Sequence, residues 1–204
     1  MNIFSFKCGP LLACAYLVWQ DGQNKAILID AGGHTDKILS LSKEKGLQIG
    51  AVLLTHGHFD HVGACARLQK LGVKIYIHQL DEQLVSTDKG TCGFAVKVDT
   101  FTPDYTLQGG EELDLYGLKI KVIHTPGHTK GGVCYLIENS LFSGDTIFQG
   151  SYGRVDLGDG DINELKHSII GVLFNLEGDL DVYPGHERKT NLSFERKLNP
   201  IKYA

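Results

Sequence analysis

The sequence lacks paired cysteines, a surplus of positive charge and any long apolar run. Its five cysteines are scattered and form no C-x-x-C pair, so neither a disulfide framework nor a structural zinc site is expected. Reduced cysteines that fill small apolar spaces are predicted instead. The net charge of −4 gives no broad basic surface, so we expect no nucleic acid and no membrane as a partner.

The N-terminus also lacks the pattern of an exported or membrane-anchored chain. No charged segment precedes an apolar core there, and the apolar run over residues 11–19 is too short to span a bilayer. We therefore expect a cytoplasmic protein. With 204 residues, of which 42% are hydrophobic and 22% charged, the chain can form one full-sized domain or at most two small ones. We predict a single domain over residues 1–204.

Short apolar stretches alternate with helical patterns along both halves of the chain. The predicted strands are 12–19, 26–30, 51–55, 74–78, 111–116, 118–124, 132–137, 140–143 and 179–183. The predicted helices are 35–46, 60–71, 161–174 with Asp161 as N-cap, and a last helix near the C-terminus. Residues 81–108 are the least regular part. The pattern favours the α/β class and an αββα layered domain.

The strongest chemical signal is HGHFDH at residues 56–61, directly after a predicted buried strand. Three imidazoles and a carboxylate crowded into six residues are costly to bury without a compensating charge. A divalent cation compensates all of them together. Because alternate residues of a tight loop diverge, His56 and His58 can face one metal while Asp60 and His61 face another. An exposed polar loop is the alternative interpretation.

Three further residues follow predicted strands in the same way: His128 in TPGHT, Asp145 in SGDT and His186 in PGHE. Imidazole and carboxylate ligands of this kind suit Zn²⁺, and also Fe or Mn. We therefore predict a centre of two divalent metal ions, with Zn²⁺ as the expected metal.

The ligands divide into two sets that share one residue. We assign the first ion to His56, His58 and His128, the second ion to Asp60, His61 and His186, and a bridging role to Asp145. Two ions roughly 3.5–4 Å apart hold a hydroxide between them and lower its pKa toward neutrality. That hydroxide is expected to attack an electrophilic carbonyl of a small-molecule substrate. Asp60 is the ligand to which we also assign a catalytic role.

The motifs THGHFDH, TPGHT, SGDT and YPGH together resemble those of the metallo-β-lactamase superfamily. The resemblance covers nearly the whole chain, from about residue 12 to the end. Within it, GDTIF at 144–148, GRVD at 153–156 and the ending FERKLNP are similar to the glyoxalase II branch, the hydroxyacylglutathione hydrolases, and to its small single-domain members. The resemblance implies a four-layer αββα sandwich with the site at one edge of the sheets.

The resemblance implies hydrolysis of a small thioester such as an S-acyl glutathione. Full-length glyoxalase II carries a helical domain that contacts glutathione, whereas 18 residues follow His186 here, so weak binding of glutathione is expected. The runner-up is a persulfide dioxygenase, in which the equivalents of His56, His128 and Asp145 hold a single iron. The full second ligand set argues against it. A lactonase or β-lactamase is a third possibility.

Other polar residues receive supporting or structural roles. Asp30 is expected to orient the metal loop. Arg154 and Asp156 are expected to form a buried ion pair that braces the site, with substrate binding by Arg154 as the alternative. Tyr152 is expected to be a packed loop aromatic, with contact to a bound substrate as the alternative. Lys189 is expected to be a solvated surface charge. Four histidines without supporting neighbours are predicted to be exposed or hydrogen-bonded: His34, His78, His124 and His167.

Overall fold

The computed structural model describes residues 1–204 and contains two six-stranded sheets. The first sheet is formed, in this order, by β1 (Asn2–Cys8), β2 (Ala13–Trp19), β3 (Lys25–Ile29), β4 (Gln48–Leu53), β5 (Lys74–His78) and β6 (Tyr105–Leu107). The second sheet contains β7 (Glu112–Leu115), β8 (Leu118–His124), β9 (Val133–Ile137), β10 (Ser140–Gly144), β13 (Asp181–Pro184) and β14 (Thr190–Asn191). Its spatial order is β14-β13-β10-β9-β8-β7, and β11 (Ile147–Phe148) and β12 (Ser151–Tyr152) form a separate hairpin.

The direction of the strands decides where the loops meet. In the first sheet β3, β4, β5 and β6 are parallel neighbours, so the loops that follow the first three of them leave from the same edge. In the second sheet β10 and β13 are parallel, and their carboxyl ends also meet at one edge. Open α/β sheets place their ligand sites outside the carboxyl ends of strands.

The helices are short and cover the outer faces of the sheets. They are α1 (Thr35–Glu44), α2 (Phe59–Val62), α3 (Cys65–Lys70), α4 (Glu82–Ser86), α5 (Ile162–Lys166) and α6 (Leu192–Leu198). A π-helical segment at His167–Val172 and a 3₁₀ turn at Leu173–Asn175 continue from α5, and further 3₁₀ turns lie at Gln79–Asp81, Asp88–Thr91 and Pro200–Tyr203. None of the helices combines the length and the apolar character needed to span a bilayer.

Three large apolar clusters fill the spaces between four layers. Val52 of β4 packs under the helices of the first sheet, whereas Leu53 beside it faces the second sheet, because successive strand residues point to opposite faces. On β10, Leu141 likewise faces the outer helices, whereas Phe142 faces the space between the sheets. The arrangement confirms the predicted αββα sandwich.

Polar contacts tie the two sheets together close to one end. The Val133 amide of the second sheet donates to the carbonyl of Thr55, which follows β4 of the first. The Tyr16 hydroxyl donates to the carbonyl of Pro184, and the Cys14 amide donates to that of Gly185, over 2.6 Å in both cases. The loops that follow β4 and β13 are therefore held at fixed separation.

The predicted elements and those of the structure differ in places. Helix 60–71 is broken into α2 and α3, and at the break the Ala64 amide donates to the carbonyl of Ala31 in another loop over 2.8 Å. Strand β1 was not predicted, since it is a half-exposed edge strand with weak alternation. The Asp161 N-cap is confirmed by its contacts with the amides of Asn163 and Glu164.

Candidate metal centre

Four loops bring the seven predicted histidines and aspartates to one end of the sandwich. The loop after β4 supplies His56, His58, Asp60 and His61, and the loops after β8, β10 and β13 supply His128, Asp145 and His186. The first four and His128 are buried, whereas Asp145 and His186 are partly accessible. One end of the fold thus holds a compact patch of imidazole and carboxylate groups.

The polar atoms of these side chains form three groups, each of which could hold a metal ion. The groups are His56–His58–His128, Asp60–His61–His186 and His56–His61–Asp145, with potential ligand atoms within 4.8 Å of one another. The first two coincide with the two ligand sets predicted from the sequence. The third joins one member of each set to Asp145.

Asp145 lies between the two sets. Its Oδ2 atom is 3.7 Å from Nε2 of His128 and 3.6 Å from Nε2 of His186, and its Oδ1 atom is 3.4 Å from Nε2 of His61. Oδ2 therefore faces one imidazole of each set, and Oδ1 faces an imidazole of the second set. This is the position expected of a carboxylate shared by two ions.

Several of these atoms have no hydrogen-bond partner within the protein. Nε2 of His56, Nε2 of His61 and Oδ1 of Asp145 are buried and unpaired. Leaving a buried polar atom unpaired costs about 1–3 kcal/mol. In addition, Nδ1 of His58 lies only 2.9 Å from Nε2 of His128. A divalent cation bound by these atoms would remove the cost of the unpaired atoms and would separate the two facing imidazole nitrogens. The donor set therefore fits a metal ion.

The protonation of the first set favours metal binding. Burial, together with the neighbouring His128 and His61 rings, lowers the pKa of His58 to about 3. Burial and the other imidazoles likewise lower the pKa of His56 well below its ordinary value. Both rings are therefore neutral at pH 7 and carry free lone pairs, which is the form that binds a metal.

The second set contains more negative charge. Burial acts to lower the pKa of His61, but the carboxylates of Asp145, Asp30 and Asp60 prevail and raise it to about 10. Burial acts to raise the pKa of Asp60, but a hydrogen bond from His186 and the charge of His61 prevail and lower it. The carboxylates around His61 thus favour a positive charge at this position.

Asp30 has the orienting position predicted for it. Its carboxylate accepts hydrogen bonds from the amide and the hydroxyl of Thr55, each 2.8 Å long, and its Oδ2 atom lies 2.8 Å from Nδ1 of His61. Asp30 thereby fixes the His61 ring with Nε2 directed at the other ligand candidates. The backbone carbonyl of Arg154 holds His128 in the same way, 2.7 Å from Nδ1.

The predicted ion pair of Arg154 with Asp156 forms, but the prediction that it is buried is wrong. The side chains are 55% and 66% exposed, and Arg154 lines the cavity that opens above the site. Tyr152 packs on the apolar cluster of the second sheet and also lines the cavity above the site. Lys189 is paired with Asp181 and lies over the Tyr183 ring.

The four remaining histidines lie outside the patch and are exposed or hydrogen-bonded, as predicted. Nδ1 of His34 accepts from the Gly9 amide, Nδ1 of His78 accepts from the Leu80 amide, His124 contacts the Lys130 carbonyl, and His167 is exposed. The five cysteines form no disulfide, and four of them lie in the apolar clusters, as predicted, whereas Cys92 is partly exposed.

A cavity of about 520 Å³ opens directly above the patch. The sequence did not reveal most of its walls, which include Leu11, Cys92, Phe94, Phe148 and Leu157. Cys92 and Phe94 come from the irregular stretch 81–108, where neither strand nor helix periodicity assigns a face. The available signal in the sequence was the presence of apolar residues such as Leu11 and Phe94 beside turn-forming glycines, and the structure leaves both exposed, at 53% and 45%.

An αββα sandwich with this patch of histidines and aspartates at one end defines a class of metal-binding proteins. The family model of the metallo-beta-lactamase superfamily matches residues 8–200. The chain therefore belongs to this superfamily, whose members are typically metal-dependent hydrolases.

Individual relatives cover most of the chain. It is 37% identical over 192 residues to the hydroxyacylglutathione hydrolase GloC of Haemophilus influenzae, covering 91% of this chain and 90% of that protein. The crystal structure of the B3 metallo-beta-lactamase BLEG-1 is similar over the whole of both chains, with 31% identity and a TM-score of 0.92. The structure of TTHA1623 in a di-iron-bound form covers 97% and 98% of the two chains, with 37% identity and a TM-score of 0.85.

Proposed function

We propose that the protein is a binuclear metal-dependent hydrolase that acts on small thioesters such as S-acyl glutathione. The observation that carries the proposal is the presence of two complete ligand groups with Asp145 between them. In this assignment His56, His58 and His128 hold one divalent ion and Asp60, His61 and His186 hold the other. Zn²⁺ is the expected metal, and Fe or Mn are the alternatives.

Two bound cations would activate water as a nucleophile at neutral pH and polarise the carbonyl of the substrate. The protein supplies the positions of the reacting groups. Asp145 and Asp60 provide carboxylates at the floor of the cavity, and the Oδ2 atom of Asp60 lies 3.2 Å from Nε2 of His186. Asp60 is buried but borders the cavity, so it is placed to contact the reacting atoms and to orient the attacking water.

The apolar part of the cavity wall suits the acyl chain of a thioester. Apolar side chains of Leu11, Phe94, Phe148 and Leu157 surround the opening and can contact an acyl chain or the methylene groups of a thiol. Arg154 is the cation at the mouth, and its charge is already balanced by Asp156. The 37% identity to GloC of Haemophilus influenzae supports a glutathione thioester as one substrate.

The test is an activity panel with metal-replete protein and measured metal content. We expect hydrolysis of S-lactoylglutathione and of a truncated thioester such as an acyl-cysteamine, with two ions bound per chain. A lactone and a β-lactam complete the panel. No turnover of either thioester, together with oxygen consumption on glutathione persulfide and a single bound iron, would instead identify a dioxygenase.

The kinetic comparison between the two thioesters refines the assignment. Contacts with remote parts of a substrate contribute to both KM and kcat. Because Arg154, the cation of the cavity lining, is already paired with Asp156, and the apolar side chains can contact the acyl group that both substrates share, we expect kcat/KM for the acyl-cysteamine to approach that of the glutathione ester. Loss of both activities in a folded His186→Ala variant would assign both reactions to the proposed metal centre. Retention of both activities would exclude that centre as their site.

A further inference from the structure

Asp81 is a buried carboxylate that connects two of the loops at the metal centre. It ends the 3₁₀ turn after β5 and is 1% exposed. Its Oδ2 atom accepts hydrogen bonds from the Gly57 amide at 2.9 Å and from the Thr129 hydroxyl at 2.8 Å. Its Oδ1 atom accepts from the Gly131 amide at 2.7 Å. All three donors belong to loops that carry proposed ligands.

The positions of these donors make the connection specific. Gly57 lies between His56 and His58, and Thr129 directly follows His128. The carboxylate therefore contacts the backbone or a neighbour of every member of the first ligand set. None of its hydrogen bonds is formed with a residue adjacent to Asp60, His61 or His186. Its contacts thus concern one of the two proposed ions.

The packing around Asp81 leaves no room for a different arrangement. A Cβ atom at Gly131 would lie 2.5 Å from Oδ1 of Asp81, and one at Gly57 would lie 2.6 Å from Cβ of Leu84. Both loops therefore approach the carboxylate at backbone distance. Burial raises the pKa of Asp81, although its three hydrogen bonds act in the opposite direction. No Lys or Arg side chain pairs with Asp81, so these three hydrogen bonds stabilise its buried carboxylate.

Asp81 is the counterpart of Asp30. Asp30 contacts Thr55 and His61, and so fixes a ligand of the second set. Asp81 fixes the separation between the loop of His56 and His58 and the loop of His128. We propose that Asp81 is a positioning residue that holds the three histidines of the first metal site at binding distance. This proposal rests on the metal centre of the proposed function.

The experiment measures the first site by itself. In His186→Ala the first site is expected to bind Zn²⁺ more tightly than the second. In His58→Ala the second site is expected to bind Zn²⁺ more tightly than the first. Asp81→Asn keeps the size of the side chain, but turns one acceptor into an NH₂ group that faces a donor. Zn²⁺ affinity of the metal-depleted proteins is measured by competition with a chelator, with and without Asp81→Asn in each background. Asp88→Asn is the matched control, because Asp88 is exposed and also lies in the stretch 81–108.

We expect Asp81→Asn to weaken Zn²⁺ binding by about 10- to 100-fold in the His186→Ala background. In the His58→Ala background we expect a change of less than about threefold, and Asp88→Asn should have no effect in either. Equal affinity with and without Asp81→Asn in the His186→Ala background overturns the proposal. Equal weakening of Zn²⁺ binding in both backgrounds also overturns it, because that result would indicate a general loss of structure.

A second variant covers the case in which Asp81→Asn does not fold. Thr129→Val removes one of the three donors and keeps the carboxylate, and we expect a smaller loss that is again confined to the first site. Absence of Zn²⁺ binding in the unmodified protein would defeat the proposed centre itself. Normal binding of two ions with no effect of Asp81→Asn or Thr129→Val would defeat only the role of Asp81.

Discussion

Nδ1 of His61 lies 2.8 Å from Oδ2 of Asp30, and both side chains are buried. The same carboxylate accepts two hydrogen bonds from Thr55, one residue before His56. A carboxylate that contacts the outer nitrogen of a metal-binding imidazole fixes its orientation and makes it a better ligand. Asp30 is thus expected to affect metal binding without contacting an ion.

Replacement of Asp30 tests this relationship. We expect Asp30→Asn to weaken binding of the second Zn²⁺ by about 10- to 100-fold, because the His61 ring loses its charged partner. Isothermal titration of metal-depleted protein measures the change. Asp36→Asn is the control, since Asp36 forms an exposed ion pair with Arg67, and such pairs contribute little. Unchanged binding of both ions in Asp30→Asn would contradict the orienting role.

The stoichiometry of the centre is the second prediction. We expect about two Zn²⁺ per chain at saturation. Asp145→Ala should lower the affinity of both sites, because Asp145 lies against His128, His61 and His186, whereas His186→Ala should chiefly empty the second. Elemental analysis after dialysis measures the content. A wild-type ratio that stays at one under excess metal would exclude the binuclear centre, and two tightly bound ions in Asp145→Ala would exclude the bridge.

The acid stability of the metal-free protein is the third prediction. The pKa of His58 is about 3 in the folded protein, against about 6.5 in an unfolded chain. Between these values the unfolded chain binds more protons, so the free energy of unfolding decreases as the pH falls below about 6.5. Urea unfolding from pH 7 to pH 4.5 in the presence of a chelator measures the decrease. We expect His58→Gln to reduce the slope.

His61 gives the opposite dependence in alkaline solution. Its pKa is about 10 in the folded protein, so its stabilising contribution is complete below about pH 6.5 and is lost as the pH rises through 10. The metal-free protein should therefore be most stable near pH 6.5. Bound Zn²⁺ should flatten the alkaline limb, because it displaces the proton of His61. A metal-free protein whose stability is constant from pH 5 to pH 9 would contradict both statements.

Gly153 provides the fourth prediction. A Cβ atom there would lie 1.8 Å from the Asp145 carbonyl oxygen and 3.3 Å from Nδ1 of His128. We expect Gly153→Ala to displace this loop, with a loss of stability of about 1–3 kcal/mol and reduced metal content. Gly178→Ala is the control, because Gly178 has φ +76° and nothing within 4 Å. It should lose about 1 kcal/mol and keep its metal. Equal metal content in the two variants would contradict the prediction.

The metal patch was predictable because its residues carry a dense local signal. Residues 56–61 contain four potential ligands, and His128, Asp145 and His186 each follow a strand whose apolar pattern is clear. The two layers of sheet were predictable for the same reason. Strands such as β8, which runs from Leu118 to His124, alternate between buried and exposed residues.

Other features depend on contacts between distant segments and leave little trace in the sequence. Asp81 lies in an irregular stretch, and its partners are 24, 48 and 50 residues away. At the break after Val62 the Ala64 amide donates to the Ala31 carbonyl, a contact that no local periodicity records. The exposure of Arg154 was predicted wrongly because an ion pair near a metal loop gives no indication of its distance from solvent.

The division of the seven side chains between the two sheets has a consequence for biosynthesis. Four of them precede residue 62 and belong to the first sheet, whereas His128, Asp145 and His186 belong to the second. A ribosome-bound chain that has emerged only as far as β6 can present no more than an incomplete set of donors. Tight capture of an ion then requires docking of the second sheet onto the first, so metal acquisition is expected to be a late event. An ion held in this way connects the two successive halves of the chain much as a disulfide would, in a protein whose cysteines are all free.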